Sequence, residues 1–140
     1  FIDLAGQING NMPHFVVDKV QNALNDHMKA LKGSHVHVVG VAYKRNIDDV
    51  RESPALDVIH VLAKRGAKVT YSDPYVPSIR IEDHLYKTHD LMPSAIEADC
   101  CVIITDHADF DYAGLVKNAK LIVDTRNSLK GIKSDKIVRL

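Results

Sequence analysis

Three bases, Lys44, Arg45 and Arg51, lie in a short charged loop between an apolar run, Val36 to Val41, and a Ser53-Pro54 pair. Pro suits the first turn of a helix, where its missing N–H would have had no partner, and Ser just before it is a good N-cap. The stretch VHVVGVAYKRNIDDVRESP at 36–54 therefore reads as strand, loop and helix start. A strand that carries cations to a helix N-terminus builds an anion site, because the helix end and its free backbone N–H groups both favour a phosphate. The same loop holds Asp48, Asp49 and Glu52, so three bases facing three acids at a solvated surface is the competing reading.

The elements that must position this loop follow from hydrophobic spacing. Residues 1–31 read as helix, with Phe1, Leu4, Ala5, Ile8 and Met12 on one stripe, then Val16, Val17, Val20, Leu24, Met28 and Leu31. Asn9-Gly10-Asn11 followed by Pro13 predicts a kink or brief break. Lys32-Gly33-Ser34 is a stop signal, and strand one follows from His35 to Val41. The next helix runs from Pro54 to Arg65, with Ala55, Val58, Ile59, Leu62 and Ala63 facing inward and Gly66 as its C′ residue. Strand two is Ala67 to Tyr71, and Tyr75 to His89 reads as a loop or short excursion. A helical turn near Pro93 runs through Ala98, and strand three, Cys100 to Thr105, is the continuous apolar run of a strand buried on both faces. A short helix at 111–118, a strand at 120–124 and an edge element in the tail from Ser134 complete the chain.

Alternating strands and helices with right-handed crossovers predict an α/β fold, a Rossmann-like doubly wound parallel sheet preceded by a long N-terminal helix. Such sheets bind ligands outside the carboxyl ends of their strands. Those ends carry Tyr43-Lys44, Asp73, Thr105-Asp106-His107 and Asp124-Thr125-Arg126.

Composition narrows the function. The 140 residues suit one domain, and 46% hydrophobic with 26% charged content is that of an ordinary globular protein. Lys+Arg and Asp+Glu both number 18, which argues against nucleic-acid or anionic-membrane partners recognised through a basic face. No apolar run reaches the roughly 18 residues of a membrane span. The opening residues lack a signal-peptide pattern, and a start without methionine, already in helical phase, suggests a fragment. Cys100 and Cys101 are neighbours on a strand and point to opposite faces, so buried structural thiols in a cytoplasmic protein are expected. The eight histidines are scattered; His35 and His37 share a strand face but have no third ligand, so no metal is expected.

A dinucleotide fold would show GxGxxG after strand one, yet here only Gly40 precedes Val41-Ala42-Tyr43-Lys44. Side-chain cations, Lys44, Arg51 and Arg126, would then hold a phosphate or carboxylate instead of a glycine cradle.

The motifs GVAYKRNIDDVRESPALDVI, YSDP, ITDH and LIVDTRN resemble the C-terminal domain of the UDP-glucose/GDP-mannose dehydrogenase family. The opening FIDLAGQINGNMPHFVVDKV resembles the end of that family's central helix, and the helix and loop are most similar to its UDP-N-acetylglucosamine 6-dehydrogenase branch. The resemblance covers essentially the whole chain. It implies residues 1–31 as the end of the connecting, dimerising helix and 32–140 as the UDP-sugar-binding domain. It implies an enzyme that oxidises the C6 alcohol of a UDP-sugar to a carboxylate in two NAD-dependent steps for polysaccharide precursors, through a catalytic cysteine. Tyr43 and Lys44 match the family's aromatic–lysine pair at the nucleotide sugar, Arg126 its substrate-binding arginine, and Arg51 the RES arginine that reaches towards NAD. Against these stand local pairs, Arg51 with Asp48 or Glu52 and Arg126 with Asp124. The family's GGHC segment and glycine-rich NAD turn are absent, so the resemblance places no catalytic residue here and NAD mainly on another domain. His107 is expected to cap a helix or pack a loop. A non-catalytic dimerisation or interaction module is the alternative function.

Overall fold

In the computed structural model, which describes residues 2–43, 50 and 53–140 with side chains from residue 12 onward, five parallel strands form one sheet. These are β1 (His35–Val39), β2 (Lys68–Ser72), β5 (Cys100–Ile103), β6 (Ile122–Asp124) and β7 (Ile137–Arg139), in the order β2-β1-β5-β6-β7. Strands β3 (Ser78–Ile81) and β4 (His84–Lys87) pair antiparallel as a separate hairpin. The helices are α1 (Ile2–Asp26), α2 (Pro54–Lys64), α3 (Leu91–Glu97) and α4 (Tyr112–Asn118). No helix among the described residues is long and apolar enough to cross a membrane.

Each face of the sheet has its own core. Val36, Val38, Cys100, Val102 and Val123 pack under α1 and α2, through Val17, Val20 and Leu24 of the first helix and Val58, Ile59 and Leu62 of the second. Val39, Cys101, Ile103 and Ile122 pack on the other side with Ala95 of α3 and Leu115 of α4. Cys100 and Cys101 thus fall in different cores, as the two-residue strand period requires. Burial raises both thiols, Cys101 to about 12.

Several expectations need correcting. α1 runs unbroken through Pro13, since one missing backbone bond is outweighed by the packed turns that follow at Val16, Val17 and Val20. It stops at Asp26 rather than residue 31. Met28 takes the left-handed conformation (φ 60), with Met28 N–H donating to Asn25 O (3.0 Å) and Lys29 N–H to Leu24 O (3.0 Å). That is a Schellman stop, and it leaves the Met28 side chain 96% exposed rather than on the buried stripe. α2 ends the same way on Gly66 (φ 93), with Ala67 N–H bonded to Leu62 O at 3.1 Å, but Ala63 lies outside its buried face. At the front of α2, Ser53 Oγ accepts from Ala55 N–H at 3.2 Å and Pro54 occupies the first turn.

The segment read as a loop contains the β3–β4 hairpin. Ile79 and Val76 are buried in the first core, and Tyr71 Oη donates to Val76 O at 2.8 Å. Its turn is carried by Glu82 at φ 54, where Gly, Asn or Asp would have signalled a hairpin.

Candidate functional site

The carboxyl ends of β1 and β5 lie side by side where the strand order of the parallel sheet reverses, and a ligand crevice is expected there. Gly40 leaves β1 with φ 85, and a Cβ at that position would sit 2.5 Å from Thr105 O. Only glycine lets the two strand ends approach this closely. Thr105 Oγ1 then donates to Ala42 O at 2.6 Å, tying the turn to β5.

Two successive N–H groups of that turn, those of Val41 and Ala42, are already taken. Asp73 Oδ2, at the end of β2, accepts from Val41 N–H (2.8 Å) and Ala42 N–H (3.0 Å). The same oxygen accepts from His107 Nε2 at 2.8 Å, while Oδ1 accepts from Tyr75 N–H at 2.8 Å. Both side chains are fully buried. The His107 ring lies between Tyr75 (centroids 4.9 Å) and Phe110 (5.5 Å), so it packs loops together and also anchors a carboxylate. A dinucleotide pyrophosphate would need free N–H groups at this turn, so the turn does not fit NAD.

Beside it opens a cleft of about 710 Å³ bounded by α1, α2 and the ends of β1, β5 and β6. Its walls include Met12, Pro13 and Val16 of α1, Asp57 and Val58 of α2, and Tyr43, Ile104, Thr125 and Arg126. The size is that of a small-molecule site. The structure therefore brings Tyr43 and Arg126 to one cleft, although they are 83 positions apart in sequence (126 − 43). Lys44 and Arg51 lie outside the described residues.

Arg126 is held by its backbone, not its charge. Asp124, buried, accepts from Arg126 N–H (3.0 Å) and Ser128 N–H (3.1 Å) through Oδ1 and from Leu129 N–H (2.9 Å) through Oδ2. With both carboxylate oxygens engaged on the turn, no ion pair joins Arg126 to Asp124 among the described residues, and the guanidinium is exposed at the cleft. Sequence reasoning placed Asp73, His107 and Asp124 at the strand ends but not the bond between the first two or the backbone bonds of the third. The walls given by α1 carried no sequence signal.

Residues 37–131 match the model of the UDP-glucose/GDP-mannose dehydrogenase family, UDP binding domain. The chain belongs to this family. It is 34% identical over 138 residues to a UDP-N-acetyl-D-mannosamine dehydrogenase of Methanococcus vannielii, a match covering 92% of this chain and 30% of the relative. It is 36% identical over 104 residues to a UDP-glucose 6-dehydrogenase of Rhizobium meliloti, covering 69% and 24%. The solved UDP-D-ManNAc dehydrogenase of Pyrococcus horikoshii superposes with a TM-score of 0.81 at 31% identity, covering 97% of this chain and 32% of that one. The chain thus spans about a quarter to a third of the length of these relatives, and the family carries the Rossmann-like fold described above. The names of these relatives point to N-acetylmannosamine and glucose rather than to the N-acetylglucosamine branch expected from the helix and loop.

Proposed function

We propose that this chain is the UDP-holding part of an NAD-dependent UDP-sugar 6-dehydrogenase, with the nucleotide sugar in the cleft between α1, α2 and the strand ends. Tyr43 and Lys44 contact the nucleotide sugar, Arg126 supplies a cation to its phosphate or sugar, and Arg51 faces the NAD side. The parent enzyme oxidises the C6 alcohol to a carboxylate in the cytoplasm, for polysaccharide precursors, and each of its two steps passes a hydride to NAD. Residues 1–31 hold the end of the connecting helix, which stops at Asp26, and the turn after it; two copies dimerise through this helix, and residues 32–140 form the UDP-sugar-binding domain. The substrate is a UDP-N-acetylhexosamine or UDP-glucose; N-acetylglucosamine and N-acetylmannosamine differ only in the configuration at C2.

One observation carries the reading: in a member of a UDP-binding family, the exposed Arg126 and Tyr43 share one cleft at the sheet's reversal point. Free phosphate oxygens suit a guanidinium that no ion pair holds among the described residues. Titration of the isotope-labelled chain with UDP tests it. The amide signals of Tyr43 and Lys44 are expected to shift and saturate, and Lys44→Ala to remove most of the response. A spectrum unchanged at millimolar UDP contradicts the reading.

The competing module reading draws on α1, where Phe15 is 48% and Met12 37% exposed. A charge at Val20 or Leu24 cannot test it, because both are buried in the chain's own core. Phe15→Glu can: a dimer lost in sedimentation, together with no response to UDP, favours the module.

A further inference from the structure

The turn after β1 looks like a phosphate turn that has been filled from within. Gly40 N–H donates to Ser72 O at 2.8 Å, Val41 and Ala42 N–H donate to Asp73 Oδ2, and Ala42 O accepts from Thr105 Oγ1. The N–H groups of Gly40, Val41 and Ala42 are thereby spent on Ser72 and Asp73, and the residue that leaves the turn is Tyr43, at the cleft. A carboxylate oxygen at hydrogen-bond distance from two successive N–H groups stands where an anionic ligand would stand in such a nest. A buried carboxylate needs a donor on its remaining side, and His107 Nε2 provides one at 2.8 Å from a ring that is itself fully buried.

We propose that Asp73 is a built-in anion at this turn, and that Asp73 and His107 are positioning residues for nucleotide binding. The carboxylate excludes a diphosphate from the β1 turn by occupying its donors and by repelling like charge. That sends the diphosphate of the ligand to the Arg126 side of the cleft. His107 holds the carboxylate in place and through it fixes the direction in which Tyr43 enters the cleft. This explains physically why the turn dispenses with two of the three glycines: no ligand backbone has to approach it. The inference rests on the UDP reading of the cleft.

Two measurements on the chain test it. In the first, UDP affinity is compared for His107→Gln, whose amide nitrogen can stand in for Nε2, and His107→Phe, which fills the space without a donor. His107→Phe is expected to bind UDP about tenfold more weakly and His107→Gln to stay within about threefold of the original chain. A role in stability alone would lower the melting temperature of His107→Phe and leave the affinity of the folded protein unchanged, which overturns the inference. Tyr43→Ala and Arg126→Ala are run alongside. If they weaken binding while both His107 variants bind normally, only the positioning role falls; if UDP binds and neither matters, the cleft reading falls with it. A chain that binds no UDP contradicts both.

The second measurement needs no variant, and so stands even if His107→Phe does not fold. Scalar couplings across hydrogen bonds should connect the Val41 and Ala42 amide nitrogens to the Asp73 carboxylate carbon, with and without saturating UDP. Coupling of either nitrogen to a phosphorus of UDP, with loss of the coupling to Asp73, overturns the inference.

Discussion

His37 Nε2 lies 2.7 Å from Ser72 Oγ, and that hydroxyl donates its own proton to His89 O at 2.6 Å. Ser72 must therefore accept from His37, which places the ring proton on Nε2. Nδ1 is then an acceptor, receiving from Thr70 Oγ1 at 2.6 Å, and Thr70 in turn receives from His35 Nε2 at 2.6 Å. The chain of bonds runs in one direction and leaves no place for a second proton on His37. Burial, with the neighbouring His35 and His89, lowers its pKa to about 3.

This fixes an acid-side dependence of stability. The unfolded histidine titrates near 6.5 and the folded one near 3, so between these values the unfolded chain binds the extra proton. Stability is full above the unfolded pKa and falls as pH drops through the window. From neutral pH to pH 5 the loss from this residue is about 2 kcal/mol. Urea unfolding at both pH values should show it, and His37→Leu should flatten the slope. Nitrogen-15 chemical shifts of the ring should report the Nε2–H form at pH 5.

Met28 and Gly66 occupy the same C′ position at the ends of α1 and α2, yet only one is glycine. Met28 is 96% exposed, so its replacement removes no packing. Met28→Gly relieves the left-handed strain and should stabilise the chain by about 1 kcal/mol, raising the melting temperature by about 2–4 °C. An unchanged or lower melting temperature would show that the strain at Met28 is absent.

Cys100 and Cys101 are fully buried, and burial raises both thiols, so neither is a nucleophile near neutral pH. A thiol-specific disulfide reagent should label neither in the native chain and both in denaturant. Rapid native labelling of either one would contradict their placement in the two cores.

The sheet and its two-sided cores were legible because apolar runs such as Cys100–Ile103 and the spacing of Ala55, Val58, Ile59 and Leu62 admit few other arrangements. The Ser53-Pro54 start and the Gly66 stop of α2 were legible for the same reason: their chemistry is local. What was hidden depended on partners far along the chain. The hairpin turn rests on Glu82, a residue with no turn preference, held because Ile79 and Val76 find the core. The stop at Met28 is likewise imposed on a residue that does not favour it. At the site, Arg126 and Asp73 could be placed at strand ends by counting. That Asp124 spends its charge on backbone, and that His107 anchors Asp73, depend on side-chain distances no spacing rule encodes.

Calorimetric titration of the chain and of Arg126→Ala with UDP tests the central claim most directly. The account predicts a saturable single site in the original chain. Loss of one charge-assisted bond in the variant should cost about 1.5–3 kcal/mol, roughly ten- to a hundredfold in affinity. Equal affinities in the two proteins, or no heat in either, would contradict it.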